Sequence, residues 1–309
     1  MVGMPSFLAS LLAITLVAPA AVQQQPTTPA TTAPQAAPQS TDPGATSRPP
    51  LPEAANPALP TLFLVGDSTV RNGDATGKGG QWGWGEPLHS FFDPAKINVV
   101  NRAIGGRSSR TYITEGRWQE VLDRLKPGDF ILLQFGHNDS GPLDDTARAR
   151  GTLKGVGDES KEIDNPITHK HETVHTYGWY MDEYVREGRA KGATVIVCSL
   201  IPRKIWDSDG HVHRNSGEDY GGWAQQIAAR EHVPFIDLNE IIGREYDNLG
   251  QAAVEPLFAD PHTHTSLAGA EMNARAVITG LKMLHPDPLA KFFSPAAADV
   301  PDHMEAVKN

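Results

Sequence analysis

Four short polar stretches in this chain each follow a run of apolar residues, and each carries a group able to take part in chemistry. Gly66-Asp67-Ser68-Thr69 offers a hydroxyl behind a glycine. Gly105-Gly106-Arg107-Ser108 offers glycines, which permit positive φ and expose backbone N–H groups. Gly136-His137-Asn138-Asp139 brings a neutral amide donor, and Asp260-Pro261-His262-Thr263-His264-Thr265-Ser266 brings a carboxylate and two imidazoles. Each stretch alone reads equally well as a polar turn. Together they hold the parts of acyl transfer. A serine hydroxyl is a poor nucleophile until an adjacent base takes its proton. The oxyanion that then develops needs fixed donors around it.

A second motif competes with this reading. His171-Glu172-Thr173-Val174-His175 is an HExxH sequence at the expected start of a helix, where two histidines could share one face and bind zinc. Gly178 extends it to HExxHxxG, but the position for a third ligand is Met181, which cannot serve. The alternative is a polar helix start beside a cleft, with His171 and His175 touching substrate. A zinc peptidase leaves the other four blocks unexplained, so no metal site is assigned and no cofactor is expected.

These groups need a frame. Short β-branched apolar runs at Leu62–Val65, Val99–Ile104, Phe130–Phe135, Thr194–Leu200 and Phe235–Leu238 suit strands buried on both faces. Helical patterns lie between and after them, at Arg117–Leu125, Thr173–Lys191, Tyr220–Glu231 and Ser266–Leu284. The last places Leu267, Ala270, Ala274, Val277, Ile278 and Leu281 on one stripe, with Ser266 as N-cap. Alternating strands and helices predict a parallel sheet covered on both faces. In such sheets ligands bind beyond the carboxyl ends of the strands, where the four blocks fall. The stretch 140–168 is long for a loop and is expected to wall a groove. Arg203, Trp206 and Tyr220, after the fourth strand, offer stacking and hydrogen bonds to sugars, or ordinary edge packing. Cys198 lies inside a strand and reads as an inert small hydrophobe.

The chain has 309 residues and a formal net charge of −10, which argues against non-specific binding to nucleic acid phosphates. Its single cysteine excludes an internal disulfide framework. Residues 1–22 hold an apolar core ending in Ala18-Pro19-Ala20, the pattern of a cleaved signal peptide, although no Lys or Arg precedes it. Export to the medium or the cell envelope is therefore expected, rather than an uncleaved N-terminal anchor, with no transmembrane domain after cleavage. Residues 23–60 contain ten of the 25 prolines and are expected to form a disordered linker. A catalytic domain over 61–285 and a loosely held tail over 286–309 complete the expected layout.

The four blocks in this order resemble an SGNH (GDSL-type) hydrolase over about residues 61–285. The sequences AIGGRSSRTY and THTSLAGAEMNA are most similar to rhamnogalacturonan acetylesterases, carbohydrate esterase family 12. The resemblance implies a flavodoxin-like three-layer α/β/α fold with a parallel five-stranded sheet. It implies a substrate that is an acetylated polysaccharide or oligosaccharide, pectic in the first instance, with xylan as an alternative. By motif, Ser68 would be the nucleophile and His264 its general base. The N–H groups of Ser68 and Gly106, with the Asn138 amide, would form the oxyanion hole. The family's acid stands three residues before the histidine, where this chain has Pro261. Either Asp260, four residues before His264, reaches it from a shifted turn, or another group orients the imidazole; Asp260 is the expected acid.

Overall fold

The computed structural model describes residues 51–307 together with Met1. The expected signal peptide and most of the expected linker lie outside the described residues. Seven strands occur among those described: β1 (Thr61–Gly66), β2 (Asn98–Asn101), β3 (Phe130–Gln134), β4 (Ser160–Asn165), β5 (Lys170–His175), β6 (Thr194–Cys198) and β7 (Phe235–Ile236). The helices are α1 (Gly85–Leu88), α2 (Ser109–Thr114), α3 (Arg117–Leu122), α4 (Tyr177–Ala190), α5 (Tyr220–Arg230), α6 (Leu238–Leu249), α7 (Gln251–Val254) and α8 (Leu267–Lys282).

Five strands form one sheet in the order β2-β1-β3-β6-β7, with every neighbouring pair parallel. This is the flavodoxin-like order, and each strand alternates its side chains between two apolar cores. Leu62, Leu64, Leu132 and Ile196 meet Ile242 of α6 and Ile278 of α8 on one side. Phe63, Val65, Leu133 and Val197 meet Tyr112 of α2, Trp118 of α3, Tyr184 of α4 and Ile227 of α5 on the other. The result is the expected three-layer α/β/α architecture. The chain leaves β1 for the edge strand β2, then returns to β3 on the other side of β1. That reversal opens a crevice beyond the carboxyl ends of β1 and β3.

Four expectations need correction. The HExxH stretch does not begin a helix: Lys170–His175 is β5, paired antiparallel in a separate hairpin with β4, which lies inside the stretch 140–168 expected to be a loop. Val174 is fully buried while His171 and Thr173 face outward, a period of two; α4 starts only at Tyr177, capped by the Thr176 hydroxyl. The tail is not loose. Leu289, Phe292, Ala297 and Val300 are buried in the same core as α8, and the Asp93 N–H donates to the Phe292 carbonyl at 2.8 Å. The end of the linker is pinned as well. Asn56 and Asn98 exchange hydrogen bonds of 3.0 and 2.8 Å, and Glu53 pairs with buried Arg102 at 3.2 Å. In α8, Ser266 caps Gly269 as expected, but Leu267 is 44% exposed and leaves the buried stripe.

Candidate active site

The turn after β1 is forced by close packing. A Cβ on Gly66 would lie 2.5 Å from the Gln134 carbonyl and 2.6 Å from Val70, so only glycine fits. The N–H groups of Val70 and Arg71 both bond to the Asp67 carbonyl at 3.1 Å, winding residues 67–71 into one tight turn. Within Thr61–Val70 only Ser68 keeps partial exposure; its neighbours are buried.

Ser68 Oγ lies 2.9 Å from His264 Nε2, and His264 Nδ1 lies 2.5 Å from Asp260 Oδ2. The Asp260 Oδ1 atom accepts from three successive backbone N–H groups, those of His262, Thr263 and His264, at 3.0, 2.7 and 3.0 Å. The loop closes with Ala259 N–H donating to the His264 carbonyl at 2.9 Å. Burial alone would raise the Asp260 carboxyl. The His264 imidazole and the N–H groups of Thr263 and His264 outweigh burial and hold it well below the usual carboxylate range.

The second and third polar stretches converge on the same crevice. Gly106 adopts φ 78°, and Asn138 Nδ2 donates to the Arg107 carbonyl at 2.8 Å, tying the amide to the glycine turn. Neither the Ser68 nor the Gly106 backbone N–H donates to a described residue, so both are available to a ligand. Asp139 reinforces the link by accepting from Ser109 N and Ser109 Oγ at 3.1 and 2.5 Å. Burial drives Asp139 up to about 7 against those Ser109 bonds, with the neighbouring Asp67 charge adding to the rise.

One pair at this site escaped sequence reasoning. His137 Nε2 donates to the Ile201 carbonyl at 3.0 Å, which leaves Nδ1 facing Asp67 Oδ2 at 3.3 Å. Burial favours the neutral acid at Asp67, but the His137 imidazole and the Thr69 N–H and hydroxyl together hold it below its ordinary value. The pair braces the residue before Ser68 against the residue before Asn138. Its only sequence signal was adjacency to both blocks.

The substrate-contact candidates divide. Arg203 Nη2 donates to the His137 carbonyl at 3.0 Å, which places it at the crevice; burial lowers its basicity, and His262 is lowered by its own burial first and then by the Arg203 charge. Tyr220 is 5% exposed and packs edge-on against Tyr177 and Trp223 with ring centroids at 5.1 and 4.9 Å, so it is a core residue and no sugar platform. Trp206 pairs with Val212 and leans on the α8-side core. His175 stacks on Trp179 at 4.0 Å, and exposed His171 faces Glu162 and Asp164 at 3.0 Å each. Four residues of strand separate these histidines by about 13 Å, whereas one zinc ion needs both nitrogens within about 2.1 Å of it. Glu172 is held by Arg110 at 2.7 and 2.8 Å and by Asn165 at 2.8 Å. Among the described residues no group of histidine, cysteine and acidic side chains is arranged to hold a metal.

Known proteins resemble this chain in sequence and in fold. The chain is 32% identical over 219 residues to the rhamnogalacturonan acetylesterase of Emericella nidulans, covering 71% of this chain and 83% of that relative. It is 34% identical over 229 residues to the probable rhamnogalacturonan acetylesterase YesY of Bacillus subtilis, covering 72% and 93%. The crystal structure of Bacillus subtilis YxiM superposes with a TM-score of 0.58 at 26% identity, over 72% of this chain and 56% of that one. The model of the GDSL-like lipase/acylhydrolase family matches residues 64–272. The chain belongs to the GDSL-like lipase/acylhydrolase family.

Proposed function

We propose that this protein is an exported acetylesterase that removes acetyl groups from a pectic polysaccharide of the rhamnogalacturonan type, or from its oligomers. The observation that carries the reading is the continuous path from Ser68 Oγ through His264 to Asp260, with spacings of 2.9 and 2.5 Å. Two relatives named for rhamnogalacturonan deacetylation support the choice of substrate.

Ser68 Oγ attacks the acetyl carbonyl carbon as His264 Nε2 takes the hydroxyl proton. Asp260 keeps the imidazole in the tautomer with hydrogen on Nδ1 and stabilises the imidazolium. The negative oxygen is received by the N–H groups of Ser68 and Gly106 and by Asn138. His264 then gives its proton to the sugar oxygen as the ester C–O bond breaks. Water attacks the acetyl-serine as His264 takes its proton, and His264 returns a proton to Ser68 Oγ as the C–Oγ bond breaks and acetate leaves.

Acetate release from acetylated rhamnogalacturonan and from acetylated xylan, each with the parent protein and with Ser68→Ala, tests the reading. Release from the pectic polymer that Ser68→Ala abolishes is expected. Faster release from xylan would reassign the substrate, and turnover surviving in Ser68→Ala would reject the mechanism. A secreted product whose mass corresponds to loss of the first twenty or so residues would support export.

A further inference from the structure

Each backbone donor of the oxyanion hole is one end of a peptide unit, and the group on the carbonyl at its other end affects how strongly it donates. Accepting a hydrogen bond at the C=O polarises the unit and strengthens its N–H. For Ser68 the other end is the Asp67 carbonyl, which accepts from the N–H groups of Val70 and Arg71 at 3.1 Å each. For Gly106 it is the Gly105 carbonyl, and there the donor is a cation: Arg107 Nη1 lies 2.9 Å from it.

The local backbone makes this contact possible. Residues Ile104–Arg107 form a turn closed by the Arg107 N–H on the Ile104 carbonyl at 3.4 Å. Gly106 takes the positive φ, 78°, that the third position of a type II turn requires. The closing bond uses neither end of the central Gly105–Gly106 peptide. Its N–H is left to the crevice, and its carbonyl, on the opposite side of a trans unit, to the Arg107 side chain. Arg150 Nη1 donates to the next carbonyl, that of Gly106, at 2.9 Å. The carbonyl of Arg107 itself accepts from Asn138 Nδ2 at 2.8 Å, so one residue touches two of the three donors.

The charge on Arg107 is only partly offset. Its Nε pairs with Glu115 Oε2 at 3.0 Å, and the same carboxylate oxygen faces Arg117 Nε at 3.6 Å. The Arg107 side chain is 7% exposed and that of Glu115 34%, so water screens the carboxylate more than the guanidinium.

We propose that Arg107 is a positioning residue of the oxyanion hole: its guanidinium, seated on the Gly105 carbonyl, fixes and polarises the peptide whose Gly106 N–H receives the oxyanion. The inference rests on the acyl-transfer reading above. A charge-assisted bond is about twice as strong as a neutral one. The oxyanion exists only after Ser68 Oγ has bonded to the carbonyl carbon, so the contribution belongs to kcat and not to KM. Removing a whole oxyanion donor costs about 10²–10³ in kcat, and weakening one should cost less, about twentyfold.

Two measurements test this: steady-state hydrolysis of 4-nitrophenyl acetate, and a fluorine NMR titration of the hemiketal that trifluoroacetone forms with Ser68. In that adduct Ser68 Oγ adds to the ketone carbon, its proton passes to His264, and no group leaves, so the oxyanion stays in the hole. Arg107→Met should lower kcat about twentyfold with KM nearly unchanged, and its hemiketal should titrate about one pH unit higher. Arg107→Lys, which keeps a cation for the same carbonyl, should restore most of both. Glu115→Gln removes the carboxylate opposing Arg107, so its hemiketal should titrate below the parent's. That variant lies at a partly exposed residue and keeps the test valid should Arg107→Met fail to fold. Equal losses in the Met and Lys variants overturn the inference, as does a Glu115→Gln hemiketal that titrates no lower than the parent's. A parent that forms no hemiketal and releases no acetate would sink the acyl-transfer reading and this inference with it. A parent that does both, matched by Arg107→Met, sinks only the role given to Arg107.

Discussion

Asp260 serves His264 twice, with a different oxygen each time. Oδ2 meets the imidazole Nδ1 at 2.5 Å, while Oδ1 binds the backbone N–H of His264 itself at 3.0 Å, along with those of His262 and Thr263. The extra residue in this loop is thus absorbed as a turn wound around one carboxylate oxygen. Pro261, which has no N–H to offer, occupies the position that needs none.

This division of labour predicts the behaviour of Asp260→Asn. The three N–H donors will keep the amide oxygen at the Oδ1 position, which turns the amide nitrogen toward His264 Nδ1. An N–H there forces hydrogen onto Nε2, which can no longer accept from Ser68. Turnover should fall by up to roughly 10⁴-fold with little change in KM. Steady-state kinetics will check this, and near-normal kcat would mean that His264 is oriented by another group.

Asn138 is predicted to act on the transition state. Its amide is fixed by the Arg107 carbonyl at 2.8 Å, so one N–H is engaged and the other is free to meet developing charge. Asn138→Ala should lower kcat by about 10²–10³, or ~3 kcal/mol, and leave KM nearly unchanged. Asn138→Asp should be worse, because a carboxylate would repel both the oxyanion and the Arg107 carbonyl. A loss confined to KM would assign Asn138 to ground-state sugar binding.

What the sequence made legible follows from the range over which each signal acts. The strand runs were visible because Leu62, Leu64, Ile131, Leu132 and Leu133 are buried on both faces, and a local apolar run records that directly. Ser266 was visible because capping reaches only three residues. The hairpin was not, since β5 is held to α2 by the contact of Arg110 with Glu172, 62 residues apart. Phe292 and Val300 sit in a Pro- and Ala-rich tail with no periodicity, so nothing local announces their burial.

Glu172 separates the structural role of the HExxH stretch from a metallic one. Arg110 is fully buried, and Glu172 neutralises it through two bonds of 2.7 and 2.8 Å. Removing the carboxylate leaves a buried cation, so Glu172→Ala should cost ~3 kcal/mol of stability in urea unfolding. His171→Ala, at an exposed site, should change stability by less than ~0.5 kcal/mol. Neither chelator nor added zinc should alter turnover. Zinc-dependent activity lost in His171→Ala would reverse this assignment.

Asp139 predicts a pH signature. Its carboxyl stands at about 7 in the native state, raised first by burial, against an unfolded value of ~3.9. The native state therefore binds this proton more tightly. The associated stability is fully present below about pH 4 and is lost as pH rises through 7. Glu86 and Glu245 are raised in the same direction, to about 8 and about 7, so the parent's profile sums several groups and a variant is needed to isolate one. Asp139→Asn keeps an acceptor for Ser109 but cannot ionise, and it pays a pH-independent cost for an amide N–H at the unpartnered Oδ2 position. Relative to the parent, it should therefore gain stability steadily between pH 4 and 7, by up to ~4 kcal/mol at ~1.36 kcal/mol per pH unit. Urea midpoints for the two proteins across that range measure the difference. A constant offset would show that Asp139 stays ionised in the fold, its charge carried by the Ser109 N–H and hydroxyl.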